Sequence, residues 1–332
     1  MTSSSAQNLA IVAIGRNEGQ RLKSCLRAAL GGAQTVVYVD SGSTDGSADF
    51  ARAAGCHVLQ LAPPFSAARA RNEGFAYALS IDPNVGVVQF LDGDCELVDG
   101  WLDCGMVALG ARLDAAIVFG HVREIHPEAS IYNQLFDLEW RQTPGEIDAC
   151  GGIFMVRPEV FRAAGGFRPE VIAAEDNEFC IRVRQSGGKI LLLDTVMVRH
   201  DAAMKKFSEW WRRARRTGHA FAQVAALHGD SEERYFVRDC RRVWIWGLII
   251  PVVALGLAFF THGWSLLLLA AYPLQFAWIF LYGRKRGWSI REAAIYAYFT
   301  VLTKFPAVEG MIAFYSRRLR GKTPTIMEHK KS

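Results

Sequence analysis

Short apolar runs alternate with longer amphipathic segments along the first 200 residues. Four of these runs, bounded by polar or turn-forming residues, predict β-strands at 9–15, 35–40, 57–61 and 85–91. The segments between them predict helices near 18–30, 47–54 and 66–79. Because strands that alternate with helices form a sheet covered on both faces, the pattern predicts an α/β fold with a mostly parallel sheet flanked by helices.

The pattern changes after residue 225, where a long apolar stretch replaces the alternation. The 41 residues from Val243 to Gly283 contain no Asp, Glu, Lys or Arg. As helix they would extend ~60 Å, roughly two crossings of a ~30 Å hydrocarbon core. The turn sequence THG divides them into two predicted helices, 244–260 and 264–282. We expect a transmembrane hairpin here; a buried helical hairpin in a soluble core is the alternative.

Four arginines between 234 and 242 and three basic residues at 284–286 flank the predicted hairpin. The positive-inside rule places both flanks in the cytosol and the turn outside. A third apolar segment, 290–316, carries Lys304, Pro306 and Glu309, which favours an interfacial helix over a spanning one. The predicted organisation is an α/β domain over 1–225 and a membrane region over 226–332, with the hairpin at 244–282.

Composition narrows the choice of compartment and partner. With 51% hydrophobic and 21% charged residues, the chain is not disordered over most of its length. Its seven cysteines form no CxxC pair, which is typical of reduced cytosolic thiols and not of a disulfide framework or a zinc site. The opening MTSSSAQN has no apolar core, so we expect no signal peptide. The formal charge of +5 is small and concentrated in the second half, and we expect no nucleic-acid partner.

Acidic residues follow two of the predicted strands. Asp40 ends the second strand, and the fourth is followed by Asp92 and Asp94, one residue apart. Ligands of parallel sheets bind beyond the carboxyl ends of the strands. The first strand is followed by GRNEGQRL, which is neither a dinucleotide fingerprint nor a P-loop. These acids therefore favour a Mg²⁺ or Mn²⁺ ion shared with a diphosphate, not a dehydrogenase or P-loop site.

Six segments occur in an order and spacing that resemble a known family: AIGRNEGQRL, VVYVDSGSTDGSADFARAAG, SAARARNEGFAYA, FLDGDCEL, GGIFMVRPEVFRAAGGF and AAEDNEFCIRVRQSG. Over residues 8–200 the chain resembles the family 2 glycosyltransferases, whose catalytic domain has the GT-A fold. The resemblance implies an inverting transfer of a sugar from a nucleotide-diphosphate sugar, with Mn²⁺ or Mg²⁺ as cofactor.

The same resemblance implies a donor site. Asp40 matches the acid that hydrogen-bonds the nucleobase, and Arg71 matches a position near the nucleotide phosphates. Asp94 matches the direct metal ligand, Asp92 faces the ribose or a metal-bound water, and His200 matches a third ligand found in some GT-A enzymes. The plain alternatives are turn aspartates, a solvated arginine and a structural histidine.

Glycines and a second acid pair complete the predicted site. Gly151 and Gly152 would let the backbone approach a sugar closely, or form only a tight turn. Asp176 matches the general base that acts on the acceptor hydroxyl, and Glu175 stands beside it. Both acids also open a predicted helix, where the macrodipole favours carboxylates in any case.

The run KKFSEWWRRARRTGH takes the place of the (Q/R)-x-x-R-W motif of processive family members, but no Trp follows its arginines. We therefore expect transfer of a single sugar. Helical spacing puts Arg212, Arg215 and Arg216 on one face of the helix. Arg213 is then expected to point away from that face. Arg215, Arg216 and Trp211 are predicted to contact the diphosphate or the acceptor; anchoring to an anionic membrane surface is the alternative.

These observations predict a glycosyltransferase of the inner membrane with its catalytic domain on the cytoplasmic face. We expect a nucleotide-sugar donor, a UDP-sugar by preference, and a lipid-linked or glycolipid acceptor in cell-surface glycan synthesis. The alternatives are a nucleotidyltransferase of related sheet architecture and a catalytically silent membrane scaffold. Retention of both Asp94 and Asp176 argues against the scaffold.

Overall fold

The computed structural model describes residues 8–321. Within them the strands are β1 (Asn8–Gly15), β2 (Thr35–Asp40), β3 (His57–Gln60), β4 (Val85–Asp92), β5 (Cys95–Leu97), β6 (Ala115–Glu124), β7 (Gly145–Glu146), β8 (Phe154–Val156) and β9 (Lys189–His200). The first four agree with the predicted strands to within one residue, because each is a continuous apolar run closed by polar residues.

The α-helices of the catalytic half are α1 (Gln20–Leu30), α2 (Ser47–Ala53), α3 (Ala67–Ile81), α4 (Trp101–Ala111), α5 (Ile131–Glu139), α6 (Pro158–Ala163), α7 (Glu175–Gln185) and α8 (Phe207–His228). The C-terminal part contains α9 (Val237–Trp244), α10 (Ile250–Gly256), α11 (Ala271–Lys285), α12 (Ile290–Leu302) and α13 (Lys304–Leu319). A π-helical turn, Ile245–Ile249, joins α9 to α10, and a 3₁₀ segment, Trp264–Ala270, leads into α11.

The described strands form one mixed sheet in the order β3-β2-β1-β4-β8-β6-β9-β5, with β7 added to β9. The half built from β1 to β4 is parallel, as predicted. In the other half only β6 and β9 pair in parallel, while β5, β7 and β8 pair antiparallel to their neighbours. The expectation of a mostly parallel sheet is therefore correct for the first half alone, because these two- and three-residue strands are too short to show a period in the sequence.

Strand register brings the acidic residues to one edge of the sheet. Gly15 at the end of β1 pairs with Asp40, and the preceding Ile14 pairs with Asp92. On the other half, His200 at the end of β9 pairs with Glu124 of β6. The carboxyl ends of these strands thus form one rim, the place where parallel sheets bind their ligands.

A cluster of aromatic rings behind this rim fixes the start of α7. Phe154 of β8 stacks on Phe179 with ring centroids 5.9 Å apart, and Phe167 lies 4.9 Å from Phe179. All three side chains are buried, which contributes about 2–3 kcal/mol each through loss of apolar surface from water. Because Phe179 lies one helical turn after Asp176, this packing orients the acid toward the rim.

The predicted apolar hairpin folds as two antiparallel helical segments, 237–256 and 264–285. The hydroxyl of Ser265 donates a 2.7 Å hydrogen bond to the carbonyl of Ala254, and that of Tyr272 donates to the carbonyl of Trp246. Among the described residues one helix, Trp264–Lys285, is long and apolar enough to cross a membrane. The predicted interfacial segment 290–316 is divided at Thr303 into α12 and α13.

Helix α13 packs directly on α8, so the C-terminal part touches the catalytic half. A Cβ atom at Gly218 of α8 would overlap the backbone of Ala307, and one at Gly310 of α13 would overlap the backbone of Arg215. Two glycines facing each other therefore let the helix axes approach more closely than larger side chains allow.

Candidate active site

A cleft of about 740 Å³ opens at the rim formed by the strand ends. It brings together residues that are far apart in the sequence, from the sheet, from α7 and from α8. Its polar lining includes Asp92, Asp94, Asp176, His200, Arg213 and Arg216, and also Glu139, Gln142, Asn177 and Thr217. Five of the first six are residues that the sequence predicts for the site.

Asp94 and His200 face each other across the β5–β9 pair. Asp94 Oδ2 lies 3.5 Å from His200 Nε2, and the other ring nitrogen, Nδ1, lies 3.5 Å from Glu124 Oε2. The Glu124 side chain is fully buried and also accepts a 3.0 Å hydrogen bond from the Ala202 amide. The edge of the imidazole packs against the ring of Trp140, 4.7 Å between centroids. A buried carboxylate behind a histidine fixes the ring so that Nε2 points into the cleft.

This arrangement fits a divalent cation. Asp94, Cys95 and His200 each offer one ligand atom, and these atoms lie within 4.8 Å of one another. Carboxylate oxygen with imidazole nitrogen suits Mn²⁺, and carboxylate alone suits Mg²⁺. Cys95 is buried, and its soft sulfur is a poor partner for either ion. The residues able to hold a cation are therefore Asp94 and His200, with Asp92 on the cleft wall beside them.

Arg71 is a clamp between two carboxylates. Its Nη2 donates to Asp92 Oδ1 at 2.7 Å, and its Nη1 donates to Glu175 Oε1 at 2.9 Å. The guanidinium carbon lies 5.5 Å from the Phe167 ring centroid, and only 4% of the side chain is exposed. Burial alone would lower the pKa of Arg71, but Asp92 and Glu175 raise it. Arg71 thus forms an internal bridge, and its contact with a nucleotide phosphate stays a prediction. Glu175 is a partner of Arg71 that does not line the cleft.

Gly152 lies against the Arg71 guanidinium, and its predicted approach to a sugar stays a prediction. A Cβ atom at this position would overlap the Arg71 guanidinium, so glycine is needed to accommodate the clamp. Gly151 is exposed, and a Cβ atom there would meet nothing within 4 Å. The two glycines are therefore not equivalent.

Asp176 lies at the start of α7, on the wall of the cleft. Its Oδ1 accepts hydrogen bonds from the backbone and side-chain amides of Asn177, at 2.8 Å and 3.1 Å. The Asn177 carbonyl oxygen in turn accepts a 2.9 Å bond from the Tyr235 hydroxyl. Burial, together with the neighbouring Glu175 carboxylate, raises the pKa of Asp176 to about 6. A carboxylate with this pKa can take up a proton near neutral pH.

Asp40 is almost fully buried at the end of β2, 2% exposed. The Tyr38 hydroxyl donates to its Oδ1 at 3.1 Å, and the amides of Gly42 and Ser43 donate to its Oδ2 at 3.2 Å and 3.0 Å. These bonds shape the loop after β2. Contact with a nucleobase stays a prediction, since both oxygens already have partners in this structure.

Helix α8 turns a different face toward the cleft than the sequence predicts. Arg213 and Arg216 line the cleft, whereas Arg215 is exposed outside it. Arg213 donates to Glu139 Oε2 at 3.0 Å, and its guanidinium lies 3.8 Å from the centroid of the Phe136 ring. Trp211 donates to Glu309 of α13 at 3.3 Å and does not line the cleft. The structure thus places Arg213 and Arg216 in the cleft and Arg215 and Trp211 outside it, and contact of these residues with a diphosphate or an acceptor stays a prediction.

The glycosyl transferase family 2 model matches residues 11–163, which hold the parallel strands and both acids of the D-x-D motif. The chain therefore carries a glycosyl transferase family 2 domain over these residues. Glycosyltransferase AglE of Haloferax volcanii is 26% identical over 239 residues, 66% of this chain and 75% of that protein. Pre-mycofactocin glycosyltransferase of Mycobacterium tuberculosis is 27% identical over 240 residues, which are 68% of this chain and 49% of that relative. The match therefore spans about half the length of the mycobacterial protein.

Solved structures agree on the fold. The mannosyltransferase PcManGT of Pyrobaculum calidifontis, in complex with GDP-Man and Mn²⁺, superposes with a TM-score of 0.57 at 17% identity, over 95% of this chain and 88% of that one. GalNAc-T7, with UDP, GalNAc and Mn²⁺, superposes with a TM-score of 0.50 at 16% identity, over 76% of this chain and 58% of that one. The α/β domain of this chain therefore has the GT-A fold.

Two residues that line the cleft, Arg213 and Trp140, and the buried Glu124 behind His200 escape sequence reasoning. Glu124 is 76 residues from His200 along the chain, and only the β6–β9 pairing makes them neighbours. Arg213 is one of four similar arginines on α8, and Trp140 follows a short helix without a motif. One feature of the sequence could have pointed to Glu124: like Asp92, it stands at the end of a long, largely buried strand.

Proposed function

We propose that this glycosyltransferase moves a single sugar from a nucleotide-diphosphate sugar to a lipid-linked or glycolipid acceptor at the membrane, with inversion at the transferred carbon. One observation carries the proposal: Asp94 and His200 on the sheet and Asp176 on α7 line the same cleft. A cation site beside an acid of raised pKa is what inverting transfer from a diphosphate requires.

The donor side of the cleft is built from Asp92, Asp94 and His200. A divalent cation bound there would supply positive charge against the leaving diphosphate. Arg71 holds Asp92 in place through one oxygen, and within residues 8–321 the other oxygen of Asp92 has no hydrogen-bond partner, so it remains available to a ribose hydroxyl or a water. Glu124 keeps the His200 ring in one orientation.

The acceptor side is built from Asp176, Arg213 and Arg216. Asp176 would accept the proton of the attacking hydroxyl, and at neutral pH a group with a pKa near 6 is mostly ionised and still a useful base. Asn177 fixes the oxygen that does this. The two guanidinium groups lie on the same wall, where they are suited to contact the diphosphate or an acceptor phosphate.

A membrane acceptor is supported by the C-terminal part of the chain. The helix Trp264–Lys285 is able to cross a membrane, and basic residues flank the apolar stretch at both ends. Under the positive-inside rule the catalytic cleft then faces the cytoplasm. Because α13 packs on α8, the wall that carries Arg213 and Arg216 is held next to the membrane region over 226–332. We favour a UDP-sugar as donor.

The proposal is tested with purified full-length protein, a panel of UDP-, GDP- and dTDP-sugars, and Mn²⁺ or Mg²⁺. We expect metal-dependent hydrolysis of one class of donor. When polyprenyl phosphate or a membrane lipid extract is added, the sugar should instead be transferred to the lipid. Asp176→Asn is the matched control, since it should remove transfer and leave donor binding. Activity toward nucleoside triphosphates instead would favour the nucleotidyltransferase alternative, and no turnover with any donor would favour the scaffold.

A further inference from the structure

A second cavity, of about 700 Å³, lies in the C-terminal part, between α11 and the α12–α13 segment. One wall is a single face of α11, made of residues spaced three and four apart: Ala271, Leu274, Gln275, Trp278, Ile279 and Tyr282. Leu274 and Trp278 are each 70% exposed and form its open rim. We call this cavity the α11 groove.

The opposite wall of the α11 groove changes from aromatic to basic along its length. Tyr296, Thr300 and Lys304 follow one another at intervals of four residues, and Arg242 of α9 closes the same end as Lys304. Asp239 and Arg242 both act electrostatically on the Lys304 ammonium. One acid beside two bases leaves this end with net positive charge.

Two polar groups in the α11 groove lack partners in the folded chain. Within residues 8–321 the Lys304 ammonium makes no hydrogen bond and no salt bridge, although its side chain is partly buried. The Oε1 atom of Gln275, on the facing wall, is buried and also has no hydrogen-bond partner. An anion at this end would give the Lys304 ammonium a charge-assisted hydrogen bond, whereas the Gln275 oxygen only accepts hydrogen bonds and is not a partner for that anion.

We propose that the α11 groove binds an anionic membrane phospholipid, with its phosphate at Lys304 and Arg242 and a hydrocarbon chain along α11. The proposal rests on the membrane association proposed above and not on the transfer reaction. A phosphate satisfies the basic end, while Leu274, Trp278 and Ile279 give the chain an apolar surface. Neither a free phosphate nor a neutral hydrocarbon matches both ends of the groove.

A resident phospholipid fits better than the sugar acceptor. The α11 groove and the catalytic cleft have no lining residue in common among those described. An acceptor must bring its reacting oxygen within about 3 Å of the base, Asp176, which lines the other cavity. The lipid in the groove is therefore a structural partner that holds α11, α12 and α13 together.

The test measures lipid retention without any sugar donor, so its result does not depend on the proposed reaction. Full-length protein is purified from mixed phosphatidylglycerol and phosphatidylcholine nanodiscs, and retained lipid is counted by native mass spectrometry. The variant is Lys304→Gln, with Lys304→Arg to restore the charge. Lys285→Gln is the matched control, because Lys285 is exposed at the end of α11, outside the groove.

Wild-type protein should retain one phosphatidylglycerol in preference to phosphatidylcholine. Lys304→Gln should lower that preference about tenfold, the change expected for one lost charge-assisted hydrogen bond, and Lys304→Arg should restore it. If Lys304→Gln does not fold, Leu274→Glu on the exposed rim should lower retention, because it places a charge on the apolar surface proposed for the hydrocarbon chain. Equal retention in all variants, equal loss in Lys285→Gln, or displacement of the lipid by one equivalent of polyprenyl phosphate would overturn the proposal.

Discussion

The backbone of Gly152 lies so close to the Arg71 guanidinium that no side chain fits between them. This contact fixes the clamp that joins Asp92 at the end of β4 to Glu175 at the start of α7. The donor side and the acceptor side of the cleft are thus tied through one buried cation. Their relative position depends on the contact between Gly152 and this cation.

Gly152→Ala should therefore destabilise the protein and weaken donor binding. The added methyl group displaces the guanidinium from both carboxylates, which costs about 1–3 kcal/mol of unfolding free energy for buried groups left without partners. Urea unfolding and donor titration measure the two effects. Gly151→Ala is the control and should change neither, because its Cβ atom would lie in open space. Equal behaviour of the two variants would show that the clamp is not held by this contact.

Asp94→Asn should lower the affinities for Mn²⁺ and for the donor together, because a neutral amide removes much of the charge that holds the cation against the diphosphate. Glu124→Gln, which changes the carboxylate behind His200 and no residue able to hold the cation, should lower Mn²⁺ affinity about tenfold. Calorimetric titration with Mn²⁺ measures both. His126→Gln is the control, since His126 is largely exposed and pairs with Glu128. Undiminished Mn²⁺-dependent donor binding by Asp94→Asn would falsify the metal assignment.

The transfer rate at saturating donor should fall as the pH drops through about 6. The active form of Asp176 is the carboxylate, and its pKa is raised to about 6 by burial and by Glu175, so protonation removes the base below that pH. Asp176→Asn should lose this acid limb, keep donor affinity, and transfer ~10²-fold more slowly. A pH–rate profile of both proteins from about pH 5 to about pH 8 checks this. A parallel loss of donor affinity would instead assign Asp176 to donor binding.

The arginines of α8 separate phosphate contact from membrane anchoring. Arg213→Lys and Arg216→Lys keep the charge and lose the planar donor fork, so each should slow transfer about tenfold if the guanidinium contacts phosphate. Arg215→Lys, on the same helix but outside the cleft, should leave the rate unchanged. Transfer assays in vesicles provide the comparison. Full activity in all three variants would mean that charge at the membrane surface is all that the helix supplies.

Sequence reasoning succeeded where a residue's neighbours along the chain determine its position. The bounds of strands β1 to β4 can be read from their apolar runs. Asp92, Asp94 and Asp176 lie in the cleft because they stand at or next to the ends of a strand or helix. It failed where position depends on how elements pack. Both faces of α8 carry arginines, so composition does not reveal that the face with Arg213 turns inward. Gly152 likewise looks like a substrate contact until the Arg71 guanidinium is seen against it.

The close crossing of α8 and α13 has a consequence for how this enzyme can change. Gly218 and Gly310 each contact backbone on the other helix, so a larger residue on one requires a shift of the other. Consider a hybrid protein in which the chain up to His228 comes from another enzyme. Its α8 would no longer be the partner of this α13, and the close contact between the two helices would be lost. A junction before Phe207 would keep α8 with the C-terminal helices but would break its contact with α5 through Arg213 and Glu139. In that hybrid, the cleft wall that bears Arg213 and Arg216 would come from the enzyme that supplies the C-terminal helices. The sheet and its acidic residues would come from the other enzyme.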